Sequence, residues 1–276
     1  MGEVNDGMKE IYKRTSVFSF IGSGIATIYC IVFYFVWFEK FSVNGETLIV
    51  SGVSAISLLI AGLFFNNAQQ NLSDETMAEI ESDVAFEKID ELIMQWMPSF
   101  YPTMHNVNAD GVSLFQIIPS KRRPFARKLT AIKFLSEGFI VPATYDILDM
   151  KDELLASFTF WNNGNRFLLT LHSRDGKRIG YFEQWLTKSV LKNKGTLFHE
   201  NDRVWRELTA NNMAGDIDVV DDDGKMTAKY RFGRFPYALH PAFEAEGVHN
   251  YIRFGNHISN EEKLAYTMIF FFWLKK

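Results

Sequence analysis

Five basic residues fall within the ten from Pro119 to Lys128: Lys121, Arg122, Arg123, Arg127 and Lys128. A cluster of this kind attracts anions, and beside an anionic leaflet each Lys or Arg near the surface contributes ~1 kcal/mol. The same segment also suits a solvated loop between strands. The chain as a whole is mildly acidic, with net charge −4, so nothing points to a nucleic-acid partner. The five residues are the lipid-binding candidates of this sequence.

The remaining constellations point to no chemistry. Asp221-Asp222-Asp223-Gly224 offers clustered oxygens, but a calcium loop of the EF-hand type needs a Glu at its twelfth position. Phe232 stands there, and a turn between strands accounts for the acids. His105, His172, His199, His240, His249 and His257 have no partner at helical metal spacing, and the one cysteine, Cys30, lies in an apolar run, so no zinc site is expected. Gly22-Ser23-Gly24 lies in the same run and introduces no phosphate loop. No Gly-x-Ser-x-Gly nucleophile elbow occurs. The sequence therefore reads as a non-enzyme, without catalytic residues, metal or cofactor.

What positions the basic cluster is better defined. Val17 to Trp37 and Thr47 to Phe65 carry no charge over 21 and 19 residues, and about 20 predominantly apolar residues cross a bilayer as a helix. The run is too long for a signal-peptide core and lacks a small-x-small cleavage site. With Asn44-Gly45 between them, the two runs read as a transmembrane hairpin over 17–65 (17–37 and 47–65). Mean hydropathy is near zero because the polar remainder dilutes these spans.

Lys9, Lys13 and Arg14 precede the first span, whereas only Lys40 lies in the connection. The positive-inside bias places residues 1–16 in the cytoplasm, and two crossings return the rest of the chain there. The expected location is the cell membrane, two-pass, with both termini cytoplasmic. Tyr34, Trp37 and Phe38 suit an outer aromatic belt. A single cysteine and no disulfide framework fit a reducing compartment. Ser19/Ser23, Gly22/Ala26, Ser51/Ala55 and Ser57/Ala61 repeat small residues at four-residue spacing, which brings membrane helices close together. They pack the hairpin on itself, or on a second copy.

After a polar exit, Ser73 is a helix cap and Met77, Ile80, Val84, Ile89, Ile93 and Trp96 recur at helical spacing up to Pro98. Residues 66–111 are therefore expected to be an amphipathic stalk helix and connector. From 112 to 276 the texture is β-rich. Strands are expected at Ser113–Ile118, Leu129–Leu135, Phe139–Val141, Leu154–Trp161, Arg166–His172, Arg178–Phe182, Asp216–Val220, Lys225–Phe232 and Tyr251–Phe254. Asn-Gly and Asp-Gly turns join several of them. Trp185–Asn193 and Asp202–Asn211 read as short helices. Finally, Ser259-Asn260-Glu261-Glu262 is a capping box ahead of eleven uncharged residues, Leu264 to Leu274. That run is too short to span a bilayer, so it is either the core of a barrel or a shallow membrane insertion.

The acidic turn before the last strands (216–225) and the capped hydrophobic terminal helix (259–264) resemble the tubby C-terminal-like superfamily, which includes the phospholipid scramblases. The resemblance covers about 112–276. It implies an antiparallel twelve-stranded barrel around the C-terminal helix. The separate N-terminal hairpin departs from the scramblase layout. The expected function is a membrane-anchored, non-enzymatic binding module at the cytoplasmic face that takes anionic phospholipid. The alternative is a membrane-associated interaction protein, an immunity, defence or regulatory factor that acts through a protein partner.

Overall fold

Both apolar runs fold as long helices, α1 (Met8–Trp37) and α2 (Glu46–Asn71). They belong to a computed structural model describing residues 8–37, 46–71, 86–109, 113–189, 192–211, 216–233 and 249–275. Ser16 Oγ donates to Gly62 O at 3.0 Å and Ser23 Oγ to Ala55 O at 2.9 Å, a register that makes the helices antiparallel. Small residues permit the approach: a Cβ on Gly62 would come within 2.8 Å of the Phe20 ring. Ser57, by contrast, is exposed. Both helices are long and apolar enough to cross a membrane, and little of either is buried. A core helix in a water-soluble domain would be mostly covered, so the pair suggests a membrane location. The connection 38–45, with Phe38 and Asn44-Gly45, lies outside the described residues.

Met8–Glu79 forms one compact unit, and Ile80–Lys276 belongs to another. The second unit is a single antiparallel sheet of twelve strands. These are β1 (Glu91–Met97), β2 (Thr103–Val107), β3 (Ser113–Pro119), β4 (Ala143–Asp149), β5 (Leu154–Asn162), β6 (Arg166–Ser173), β7 (Arg178–Trp185), β8 (Lys194–His199), β9 (Val204–Thr209), β10 (Ile217–Val220), β11 (Met226–Gly233) and β12 (His249–Phe254). Their order is β10-β11-β12-β1-β2-β3-β4-β5-β6-β7-β8-β9. β9 and β10, the two ends of that order, run close to each other, so the sheet is nearly closed. Asp-Gly and Asn-Gly hairpins set the registers as expected. Gly176 (φ 80) and Gly224 (φ 77) occupy the left-handed region that such turns require.

The stalk helix is corrected over its second half. Ile93 and Trp96 lie on strand β1, Ile89 precedes it, and the expected connector contains β2, so the sheet begins at Glu91 rather than near 112. Ser73, Met77, Ile80 and Val84 lie outside the described residues. The cause of the error is burial on both faces. Leu92 and Met94 point to the core while Ile93 and Met97 are buried on the other side, so β1 shows no alternation. Any dense apolar run also satisfies helical spacing.

Four further expectations are corrected. Leu129–Leu135 contains the end of one short helix, α3 (Pro124–Leu129), a turn, and the start of another, α4 (Lys133–Ser136). Phe139–Val141 is not a strand; Phe139 makes one isolated bridge to Asn162. The helix expected at 185–193 shrinks to a single turn at Leu186–Lys188, followed by β8. That at 202–211 is β9.

The C-terminal run forms helix α5 (Asn260–Lys275), buried from Glu262 to Phe272. Half of the expected capping box is present: Glu262 N donates to Ser259 Oγ at 3.2 Å. The Glu262 carboxylate instead accepts from Tyr266 Oη at 2.7 Å and pairs with Arg206 of β9 at 3.0 Å. An apolar surface around a whole helix has to be covered on every side. Phe271 meets Trp96 of β1, Tyr145 of β4 and Phe158 and Phe160 of β5, at centroid distances of 5.0 to 6.0 Å. Phe272 meets Phe167 of β6 and Phe182 of β7, and Phe270 meets Tyr230 of β11.

Candidate functional site

Alternating strand direction sorts the loops into two groups. The β1–β2, β3–β4, β5–β6 and β7–β8 connections share one end of the sheet with the C-terminus of α5, the helix-exit end. The tight hairpins β4–β5, β6–β7, β8–β9 and β10–β11 share the other, with the start of α5 and of β1.

All five basic candidates are in the β3–β4 connection at the helix-exit end. Lys121, Arg122 and Arg123 occupy a turn, and Pro124 then starts α3, where its fixed φ suits the first helical position. Thr130 Oγ1 donates to Arg127 O at 2.7 Å and closes that helix. Lys121, Arg122, Arg123 and Lys128 are exposed and form no ion pair among the described residues. Arg127 differs. Its guanidinium lies 5.0 Å from the centroid of the Tyr101 ring and joins this connection to the β1–β2 loop, and the side chain is half-buried. The connection as a whole (120–142) holds six basic residues, with Lys133 as the sixth, and one acid, Glu137.

The structure adds residues that sequence reasoning did not single out. Phe100 (80% exposed), Phe125 (75%) and Ile140 (72%) project from the β1–β2 and β3–β4 loops. Trp161 and Trp185, at the ends of β5 and β7, are also exposed. No periodicity signals them, because they are isolated large side chains scattered over four connections.

Beside them, a cavity of about 360 Å³ is lined by Trp96, Phe100, Thr130, Lys133, Ser136 and Lys275, among others. Lys275 donates to Ser136 Oγ and its Nζ lies 5.8 Å from the Tyr145 ring. Burial pushes its ammonium down from 10.5 to about 8; the Glu137 carboxylate opposes this and Lys133 adds to it. Between these two values the unfolded chain holds a proton that the folded chain has lost, so stability should rise with pH across about 8 to 10.5. The gain is ~3 kcal/mol, and Lys275→Met should abolish it. Urea melts of both proteins across that pH range check this; a wild-type rise that Lys275→Met retains would assign it to another group.

At the helix-entry end the charges pair with one another: Arg174 with Glu153 at 3.3 Å, Lys177 with Glu200 at 3.1 Å, and Arg178 with Asp202 at 3.3 Å. Asp221 is the hub of its turn, accepting from Lys225 N at 2.8 Å and Asp223 N at 3.0 Å. Those bonds, with His257 at 3.1 Å, hold its carboxyl below the usual range. Among the described residues no three His, Cys, Asp or Glu side chains converge as metal ligands. The two ends therefore differ in kind: one carries several ion pairs and an acidic turn, the other four exposed cations that form no ion pair among the described residues, beside exposed aromatic rings. The second arrangement attracts anions and offers apolar contact beside them. No protein-family model and no curated protein matches this chain.

Proposed function

We propose that this chain is a two-pass protein of the cell membrane, with both termini cytoplasmic, whose β-rich domain is a non-enzymatic module binding anionic phospholipid. In this reading the domain is a barrel threaded by α5, in the manner of the tubby-like domains it resembles. The twelve antiparallel strands and the burial of α5 support that arrangement. The observation carrying the lipid assignment is the set of unpaired cations, Lys121, Arg122, Arg123 and Lys128, at the helix-exit end.

Hydrogen exchange on the full chain tests the reading, with nanodiscs of phosphatidylcholine alone or mixed with phosphatidylserine. Amides of 98–102 and 121–140 should be slower with the anionic lipid, and those of 174–177 and 221–225 unchanged. The opposite pattern would place the acidic end at the bilayer and overturn the assignment. A protein partner is the second reading, favoured by the exposed Trp161 and Trp185, a residue type enriched in protein interfaces. It predicts the same exchange in both discs.

A further inference from the structure

We propose that the helix-exit end does more than approach an anionic bilayer: it inserts its apolar rim into the interfacial zone, among the headgroups. This rests on the reading of the same end as the lipid-facing surface. Ten large apolar side chains of the sheet unit are exposed among the described residues, and all but Val204 and Val220 belong to this end. Scattered exposed apolar residues are ordinary, but a concentration on one face marks a contact surface. Its composition is that of interfacial binders, with Trp and Phe beside Lys and Arg.

Ile140 makes the case sharper. It is β-branched, yet its backbone is in the left-handed region at φ 71, which is strained for such a residue. The side chain is 72% exposed, so the strain gains no packing inside the domain. The backbone around it is tied down. Asn162 N donates to Gly138 O at 3.0 Å, and Val141 N to Phe139 O at 2.9 Å. Gly138, at φ 77, has no room for a Cβ, which would run into the Phe160 carbonyl. Leu186 N, donating to Asn165 O at 3.0 Å, links the neighbouring loops. The rim is thus presented preformed, and little ordering entropy is lost on binding.

Charge selects a bilayer rather than a protein as the occupant. The connection carrying Phe125, Ile132 and Ile140 holds six basic residues and one acidic residue, which complements a sheet of anionic headgroups. The same chain carries two helices apolar enough to cross a bilayer. The helix-entry end, with Asp221, Asp222 and Asp223 on one turn, would be repelled by such a surface.

The test uses the full chain with Cys30→Ala, in phosphatidylcholine–phosphatidylserine nanodiscs. A polarity-sensitive fluorophore is attached in turn through Phe125→Cys, Ile140→Cys or Asp222→Cys, and an acceptor is placed on lipid headgroups. Energy transfer reads approach; blue-shifted emission and quenching by brominated acyl chains read immersion. Labels at 125 and 140 should be both close and immersed, and the label at 222 neither. Transfer from 125 and 140 without blue shift or quenching would overturn insertion while leaving surface binding intact. Immersion that persists unchanged in pure phosphatidylcholine would support insertion and remove the anionic preference instead. Absence of both signals at 125 and 140 would overturn the proposal together with the lipid reading.

Discussion

The fragment 66–258, which lacks α5, should show no cooperative thermal transition, and Phe271→Asp in 66–276 should behave the same way. Phe271 is fully buried and its ring meets side chains from β1, β4 and β5. Phe271→Ala removes those contacts and leaves a cavity, at a cost of ~3–5 kcal/mol. That is a large share of the ~5–15 kcal/mol typical of a whole domain. Phe271→Asp adds an unpaired buried charge, which is costlier. Deleting the helix also removes the rings of Phe272 and Phe270, which meet β6, β7 and β11. A tail that merely dips into the membrane predicts otherwise, since 66–258 would then melt cooperatively near the midpoint of 66–276. That result would contradict the proposal that α5 threads the sheet.

What the sequence disclosed follows from where its signals are local. Tight turns are local: Asp-Gly and Asn-Gly marked the β5–β6, β6–β7 and β10–β11 hairpins within a residue or two. The capped terminal helix was equally plain, since Ser259 and an uncharged run are adjacent. β1 was not, because its outward face is also buried and alternation disappears. β9 was hidden for a different reason. Arg206 points inward to meet Glu262, so a charge stands where an apolar residue would have signalled a strand. The α3 and α4 helices are too short to show a period. In the candidate surface, the basic cluster could be read because its members are contiguous. The apolar rim could not, because Phe100, Phe125, Ile140, Trp161 and Trp185 come together only through the parity of strand crossings.

Vesicle binding by the soluble fragment 66–276 tests the central claim most directly. The wild-type fragment should sediment with vesicles containing phosphatidylserine, release as salt rises because exposed charges are screened, and ignore pure phosphatidylcholine. The fourfold variant Lys121→Glu, Arg122→Glu, Arg123→Glu, Lys128→Glu replaces four exposed, unpaired cations. At ~1 kcal/mol each, their loss lowers affinity by about a thousandfold. Like-charge repulsion lowers it further, while the melting temperature stays near that of the wild type because none of the four packs in the core. If the variant retains wild-type sedimentation with an unchanged salt dependence, the helix-exit end is not the lipid-binding surface.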